Sequence, residues 1–344
     1  MTKVALASGY ISQNVGNAFF ELGAYALLSR CVGIGNVFPI QDVPANWTLW
    51  RKANGIQPKW WNILERLDVD AFVFQGPTLT ENFEVVWDGV LGRLRAANIE
   101  PVMLSIGFSK YTQEEQRQAV RMIKKHGIVS IFTRDTRTYE MLSSVNPTYS
   151  GIDSAFFAPW AYMPPRLNGP DYIVSCFESM DEPLGLIDRL TNHSRDDSRS
   201  LCRSSLLTKL AALTQSSAYM RQAIRGPNSA SMSGPYEIVR TVHRTNPAVH
   251  VRMFKDANSI ASDEPFTYLT TYANASFTVT DRVHAAVATL AYGRPAMMLS
   301  ETPRRALLER VGIGFPMTAP VELASENLES ERRRELQELS AVLR

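Results

Sequence analysis

One motif near the C-terminus places an arginine and a histidine where they could bind an anion. Between residues 278 and 298 the sequence predicts a strand, a sharp loop with Asp281 and Arg282, and a helix that holds His284 in its first turn. Backbone amides at a helix N-terminus point outward, so a cationic pair there suits phosphate or carboxylate. The alternative is structural: Asp281 caps the helix, Arg282 pairs locally and His284 is a hydrogen-bonded core residue.

A second arginine follows a predicted strand in the first half of the chain. Residues 128–133 are apolar and β-branched, and Arg134 and Asp135 come directly after them. Asp135 can cap the next helix, which the pattern favours over a chemical role. Because reacting groups must converge on one small substrate, we expect the Arg134 loop and the loop of residues 282–284 to face each other across a cleft.

Alternating strand and helix patterns must position these loops, and they are typical of parallel sheets covered by helices. The first strand, residues 4–7, leads into a loop with Asn14, Gly16 and Asn17 and a helix over residues 16–28. Ligands of open α/β sheets bind at such carboxyl ends. Thr112 and Glu115 indicate a capping box for a later helix. Further strands are predicted at residues 71–75, 102–106, 172–176, 249–253, 276–280 and 295–299.

Breaks in this pattern predict two Rossmann-like domains, residues 1–163 and 171–325, and an amphipathic helix over residues 326–344. The two domains meet at a linker in which five residues disfavour a helix: Pro159, Pro164, Pro165, Gly169 and Pro170. In the C-terminal helix, residues 332–334 are arginines that we expect on a solvated face. Residues 192–234 are rich in Ser, Arg and Asn, with one helix predicted at residues 206–213; this composition favours a surface insertion over an acceptor-binding role.

The composition excludes several classes of protein. The apolar fraction of 45% is that of a globular chain, and a net charge of +2 argues against nucleic-acid binding. We expect a cytoplasmic protein, since we find neither a secretory leader nor a long apolar stretch. Three cysteines without paired spacing favour reduced thiols, and the histidines show no metal-ligand spacing, so we expect no catalytic metal.

The chain resembles the polysaccharide pyruvyl transferase family in four places, in the expected order. The sequence from Asp281 to His284, with Arg294 and Pro295 after the helix, is similar to the C-terminal signature of the family. The Arg134–Asp135 pair and the Gly151–Asp153 turn match two further motifs. The opening strand with Asn14, Gly16 and Asn17 is the fourth. Together the matches extend from about residue 3 to residue 313.

This resemblance implies a GT-B-like fold, in which two Rossmann-like domains face each other across a cleft, and ketal formation from phosphoenolpyruvate. His284, Arg134 and Arg282 would be catalytic: the arginines would hold the carboxylate and phosphate of the donor, and His284 would donate to phosphate or act as the acid. Asp135 or Asp153 could be the base. The other substrate-binding candidates are Asn14, Gly16, Asn17, Gly76, Asp281, Arg304 and Arg305.

The donor and acceptor stay open at the level of sequence. The resemblance implies no cofactor beyond phosphoenolpyruvate as donor substrate. The acceptor would be a sugar or glycan, free or lipid-linked, and the enzyme could associate peripherally with a membrane. One alternative is a glycosyltransferase or epimerase-like enzyme of the same fold that uses a nucleotide sugar; another is a relative that binds glycans without turnover.

Overall fold

A computed structural model describes residues 2–8, 14–41, 66–192, 230–243 and 255–344. Two separate parallel sheets organise these residues, one from each half of the chain. The predicted strand at residues 249–253, the predicted helix at residues 206–213 and most of residues 192–234 lie outside the described residues.

The first sheet has the strand order β2-β1-β3-β4-β5-β6, and all of its pairs are parallel. Its strands are β1 (Val4–Ser8), β2 (Val37–Gln41), β3 (Ala71–Leu79), β4 (Glu100–Phe108), β5 (Ser130–Thr133) and β6 (Tyr149–Ser150). The helices of this half are α1 (Val15–Val32), α2 (Phe83–Ala96), α3 (Gln113–His126), α4 (Thr136–Met141) and α5 (Ala158–Ala161). The strand order reverses between β1 and β3, which is where open α/β sheets form a ligand crevice.

The second sheet has the order β10-β9-β7-β11-β12, with the short β8 antiparallel to β9. Its strands are β7 (Tyr172–Cys176), β8 (Met232–Ser233), β9 (Tyr236–Thr241), β10 (Ser259–Ile260), β11 (Thr278–Thr280) and β12 (Ala296–Met298). The helices here are α6 (Leu184–Thr191), α7 (Pro265–Asn274), α8 (Val283–Ala291) and α9 (Ala306–Glu309). Among the described strands, the order reverses between β7 and β11, which gives a second crevice.

Local sequence signals fixed several of these elements. Thr112 and Glu115 form the predicted capping box at the start of α3, and Gly127 ends that helix in the left-handed conformation. Strand β7 has the bounds that the sequence predicts. Strands β2 and β9 were not predicted, although turn residues directly precede both of them: Gly35 and Asn36 before β2, and Gly234 and Pro235 before β9.

One continuous apolar core joins the two halves. It includes Phe19 and Phe20 of α1, Phe156 and Phe157 after β6, and the apolar face of α8. Helix α1 packs against α7, α8 and the turn at Ser154–Phe157. The two sheets are therefore fixed relative to each other by burial of apolar surface. None of the described helices has the length and apolar composition that crossing a membrane requires.

The C-terminal helix α10 (Ser325–Val342) packs on α1. The prediction that Arg332 lies on a solvated face is wrong, whereas Arg333 and Arg334 are exposed. The Arg332 guanidinium is buried and donates to the backbone carbonyls of Phe156 and Ala291. These carbonyls, together with the Glu329 carboxylate that accepts from Nη1, satisfy the guanidinium, which is why a charged residue is tolerated on the packed face.

Glu335 of α10 is also fully buried, and its Oε2 accepts the Ile152 amide at 2.9 Å. Burial raises the pKa of Glu335 to about 8. In the unfolded chain a glutamate titrates near its ordinary value of about 4.3. Between these two values the folded protein binds a proton that the unfolded chain has lost, so the contribution of this group to stability is present at low pH and is lost as the pH rises through the folded pKa.

We therefore expect the Glu335→Gln variant to lose less stability than the unaltered protein as the pH rises from about 5 to about 8, because glutamine has no proton to lose. Thermal unfolding midpoints measured at several pH values in this range test this. Glu338→Gln, on the exposed side of the same helix, is the control and should follow the unaltered protein. If the unfolding midpoint of the Glu335→Gln variant changed with pH as steeply as that of the unaltered protein, the assignment of a buried protonated carboxyl group would be contradicted.

Candidate active site

The loops predicted from sequence lie at the carboxyl ends of the strands. Arg134 directly follows β5, and its amide donates to the Ile106 carbonyl at 3.1 Å. The loop with Asp281 and Arg282 follows β11, and His284 is the second residue of α8. Both positions are those at which parallel sheets present functional side chains.

Arg134 is almost fully buried, with an exposed fraction of 1%. Its Nη1 donates to Oδ2 of Asp153 at 3.2 Å. Among the described residues, its Nε and Nη2 have no hydrogen-bond partner. An unpaired buried donor costs about 1–3 kcal/mol, so these two nitrogens favour an incoming anion.

His284 approaches the same carboxylate from the other half of the molecule. Its Nε2 lies 3.9 Å from Asp153 Oδ2, which is beyond hydrogen-bond distance, and has no hydrogen-bond partner among the described residues. The ring packs on Phe20, with centroids 5.5 Å apart. Burial lowers the pKa of His284; Asp153 opposes this shift, whereas the positive charges of Arg134 and Arg304 reinforce it. The alternative of a core histidine with all its hydrogen bonds made does not describe this residue.

Asp153 is the point where Arg134 and His284 converge. Burial alone would raise the pKa of its carboxyl group, but His284, Arg134 and the Ala155 amide together hold it below the ordinary value. Its Oδ1 accepts the Ala155 amide at 2.9 Å, which leaves Oδ2 for Arg134 and His284. An ionised carboxylate beside an imidazole stabilises the imidazolium, so this arrangement can transfer a proton to a bound anion.

Backbone strain lies next to this cluster. Ser105 adopts φ 51° inside β4, where the pairing of β4 with β5 is irregular. Such a conformation costs about 1–3 kcal/mol and is retained only where the surrounding structure enforces it. The Ser105 hydroxyl accepts the Ser154 amide at 2.9 Å. The strained residue thus fixes the backbone directly after Asp153.

A second polar cluster lies at the crevice between β7 and β11. The Asp281 carboxylate accepts the amides of Glu178, Ser179 and Met180, at 2.6 to 3.2 Å. It does not cap α8; instead the Thr280 hydroxyl accepts the Arg282 amide at 2.8 Å. Burial raises the pKa of Asp281. Asp281 therefore holds the loop after β7, and its predicted contact with substrate stays a prediction.

Arg282 forms an ion pair, as the structural alternative proposed, but its partner is distant in the sequence rather than local. Its Nε lies 3.6 Å from Oε2 of Glu178, a carboxylate that is 2% exposed. Burial would lower the pKa of Arg282, but Glu178 and Asp281 raise it, so the guanidinium stays charged. The other Glu178 oxygen accepts the amide of His243 at 2.7 Å. Sequence reasoning missed Glu178, because no motif surrounds it.

His243 connects this cluster to α1 and was likewise missed as a site-forming residue. Its ring Nε2 lies 2.5 Å from the Tyr272 hydroxyl, and its carbonyl accepts the Val15 amide at 2.7 Å. Burial lowers the pKa of His243 well below its ordinary value, so the ring is neutral. A Cβ at Gly16 would lie 2.6 Å from its Nδ1. Gly16 thus serves the close approach of α1 to His243.

Several other predicted site residues have a structural role or position in the fold. Asn14 caps α1 by accepting the Gly16 amide at 2.9 Å. Asp135 caps α4 and accepts the Tyr111 hydroxyl at 3.0 Å, which is the capping role that the sequence favours. Asn17 lies in the first turn of α1. Gly76 has φ 79° and lets β3 pass the Phe20 ring.

The two arginines after β12 differ in their surroundings. Both lie in a short turn, Pro303–Arg305. The Arg304 charge acts on His284, where it lowers the pKa of the imidazole. Arg305 instead pairs with Glu309 at 3.1 Å, where both side chains are more than two-fifths exposed. Of the predicted pair, Arg304 is the one whose charge acts on His284, and its contact with substrate stays a prediction.

Two solved structures have a fold similar to that of this protein. The structure is similar to UDP-N-acetylglucosamine 2-epimerase from Rickettsia bellii, with a TM-score of 0.51 at 11% identity over 100% of this chain and 97% of that chain. It is also similar to the co-structure of S. aureus MnaA and UDP, with a TM-score of 0.50 at 14% identity over 99% of this chain and 91% of that chain. At such identities the likeness shows the fold alone, and it confirms a GT-B-like pair of parallel-sheet α/β domains.

The family is shown by sequence. The model of the polysaccharide pyruvyl transferase family matches residues 14–303, and the chain belongs to this family. The matched region contains Arg134, Asp153, Arg282 and His284. No curated protein matches the sequence.

Gly107 allows the Arg134 guanidinium to lie where it does, since a Cβ there would lie 2.3 Å from Nε. We expect Gly107→Ala to displace Arg134 from Asp153 and to lower the free energy of unfolding by about 1–3 kcal/mol, as overpacking in a core does. Denaturant unfolding measures this. Gly92→Ala, at a helical glycine with open space around it, is the control. Equal stability of the two variants would show that Arg134 is not confined here.

Proposed function

We propose that this protein transfers pyruvate from phosphoenolpyruvate to two hydroxyl groups of a sugar, in a glycan or in a glycan precursor that could be lipid-linked. One observation carries the proposal: Arg134 and His284 meet at the buried Asp153 carboxylate, and each has a buried nitrogen without a hydrogen-bond partner among the described residues. These donors suit a small molecule with two anionic groups, and family membership supplies the reaction type.

The reaction balances without a cofactor. Two C–O bonds form between the sugar oxygens and the central carbon of the donor, and the bond from that carbon to the phosphate oxygen breaks. One hydroxyl proton ends on the methylene carbon, which becomes a methyl group, and the other leaves on inorganic phosphate. General acid–base groups are needed for both proton movements.

The surroundings of each residue indicate its role in the proposed reaction. Arg134 holds one anionic group of the donor through Nη2 and Nε, while Asp153 fixes its Nη1. His284 delivers a proton through Nε2, and Asp153 stabilises the imidazolium. Arg304 adds positive charge near His284 as phosphate leaves. Arg282 takes the second anionic group by exchanging its contact with Glu178.

Donor identity is tested by ligand stabilisation followed by turnover. Phosphoenolpyruvate should raise the unfolding midpoint, whereas UDP-N-acetylglucosamine should not, because only a ligand that binds the folded state stabilises it. Phosphate release from phosphoenolpyruvate with a panel of sugar acceptors then measures transfer. Stabilisation by the nucleotide sugar alone would favour a glycosyltransferase or epimerase-like reaction, and stabilisation by neither would favour a relative without turnover.

His284→Ala should lower the rate of transfer by about two orders of magnitude or more, because it removes the proposed acid. The unfolding midpoint should change little, since Nε2 has no hydrogen-bond partner to lose among the described residues. Phosphate release and thermal unfolding are measured on the same preparation. His126→Ala, which removes a histidine paired with Asp88 outside the site, is the control for activity. An active His284→Ala protein with a low unfolding midpoint would return His284 to a structural role.

A further inference from the structure

Two residues of the C-terminal helix hold the backbone on either side of Asp153. Glu335 Oε2 accepts the amide of Ile152 at 2.9 Å, directly before Asp153. Arg332 Nε donates to the carbonyl of Phe156 at 2.9 Å, at the end of the turn that Asp153 caps. Residues three apart share one face of a helix, so α10 bonds this turn at both of its ends.

The approach of α10 to the turn is unusually close. A Cβ at Gly151 would lie 2.7 Å from Glu335 Oε2 and 2.8 Å from its Cδ. Only a glycine leaves room for the carboxyl group at this position. Glu335 is fully buried, and its other oxygen, Oε1, has no hydrogen-bond partner among the described residues. Burying a carboxyl group with one unpartnered oxygen costs free energy, and attaching a helix by its apolar face does not require this.

Arg332 extends the same contact to the other half of the molecule. Its Nη2 donates to the Ala291 carbonyl at 3.1 Å, and Ala291 is the last residue of α8. His284 lies in the first turn of that helix. One guanidinium therefore bonds both the turn that carries Asp153 and the helix that carries His284.

We propose that Glu335 and Arg332 are positioning residues that set Asp153 at its distances from Arg134 and His284, so that docking of α10 is required for catalysis. Neither side chain is part of the Arg134–Asp153–His284 cluster; each acts through the backbone of the turn. The catalytic part of this inference rests on the proposed function. The geometric part, that α10 sets the Asp153–His284 distance, does not.

The geometric part predicts that the pKa of His284 changes when α10 no longer bonds the turn that carries Asp153. In Glu335→Ala the turn is freed, Asp153 moves away from His284 and the pKa of the imidazole falls, because the carboxylate is what raises it. Glu335→Gln keeps an acceptor for the Ile152 amide and should keep the pKa of His284. NMR titration of the His284 ring measures both, and Glu338→Ala on the exposed face is the matched control.

A second pair of variants covers the case in which Glu335→Ala does not fold. Arg332→Lys keeps the positive charge, but one ammonium group cannot reproduce the planar guanidinium that bonds two carbonyls, so the pKa of His284 should again fall. Arg333→Lys, at an exposed position, is its control. A His284 pKa equal to that of the unaltered protein in folded Glu335→Ala or Arg332→Lys overturns the proposal.

Turnover gives the second measurement. Glu335→Ala and Arg332→Lys should lower kcat by about tenfold to a hundredfold with little change in KM, because small displacements of catalytic groups have effects of this size. Glu335→Gln should restore kcat. Unchanged kcat in both variants overturns the catalytic part. If the unaltered protein releases no phosphate from phosphoenolpyruvate, the proposed function fails, and the His284 titrations alone decide whether α10 positions Asp153.

Discussion

The arrangement depends on one buried carboxylate that stays ionised. Asp153 has no exposed surface, and burial by itself would raise the pKa of its carboxyl group. Arg134 from the first half and His284 from the second half reverse this effect. Loss of Arg134, which donates to Oδ2, would leave this buried charge uncompensated, and that costs far more than an exposed ion pair contributes. The charge of Asp153 therefore constrains how the two domains meet.

The strand order explains why these groups can converge at all. In each sheet the strand order reverses at one point, where two loops diverge and leave a crevice. This point lies between β1 and β3 in the first sheet and between β7 and β11 in the second. The first residue of helix α1, Val15, donates its amide to the His243 carbonyl of the second half. The same helix presents Phe20 to the His284 ring. A single helix thus brings two separate sheets to one site.

Sequence alone gave the parts of the site that follow directly from local pattern. Local pattern placed Arg134 and His284 where a strand gives way to a helix, and the family resemblance selected them as site residues; Asp135 was assigned to capping because its spacing to the helix is short. Glu178 and Arg332 could not be found in this way. Glu178 meets Asp281, and Arg332 meets Phe156, across more than a hundred residues of chain. Such contacts are set by tertiary packing, and no periodicity or turn signal in the sequence records them.

Arg134 and Arg282, which the sequence predicts to have similar roles, have different electrostatic surroundings. Arg282 faces Glu178, whose other oxygen is held by the His243 amide, so an anion that binds Arg282 must compete with a fixed carboxylate. Arg134 gives only Nη1 to Asp153, and its other donors have no partner among the described residues. Binding at Arg134 therefore requires no ion pair to break, whereas binding at Arg282 does. In the proposed reaction, the first contact of the dianion would be made at Arg134 and His284, and Arg282 would leave Glu178 only when a second negative charge near Arg282 offsets the loss of that pair.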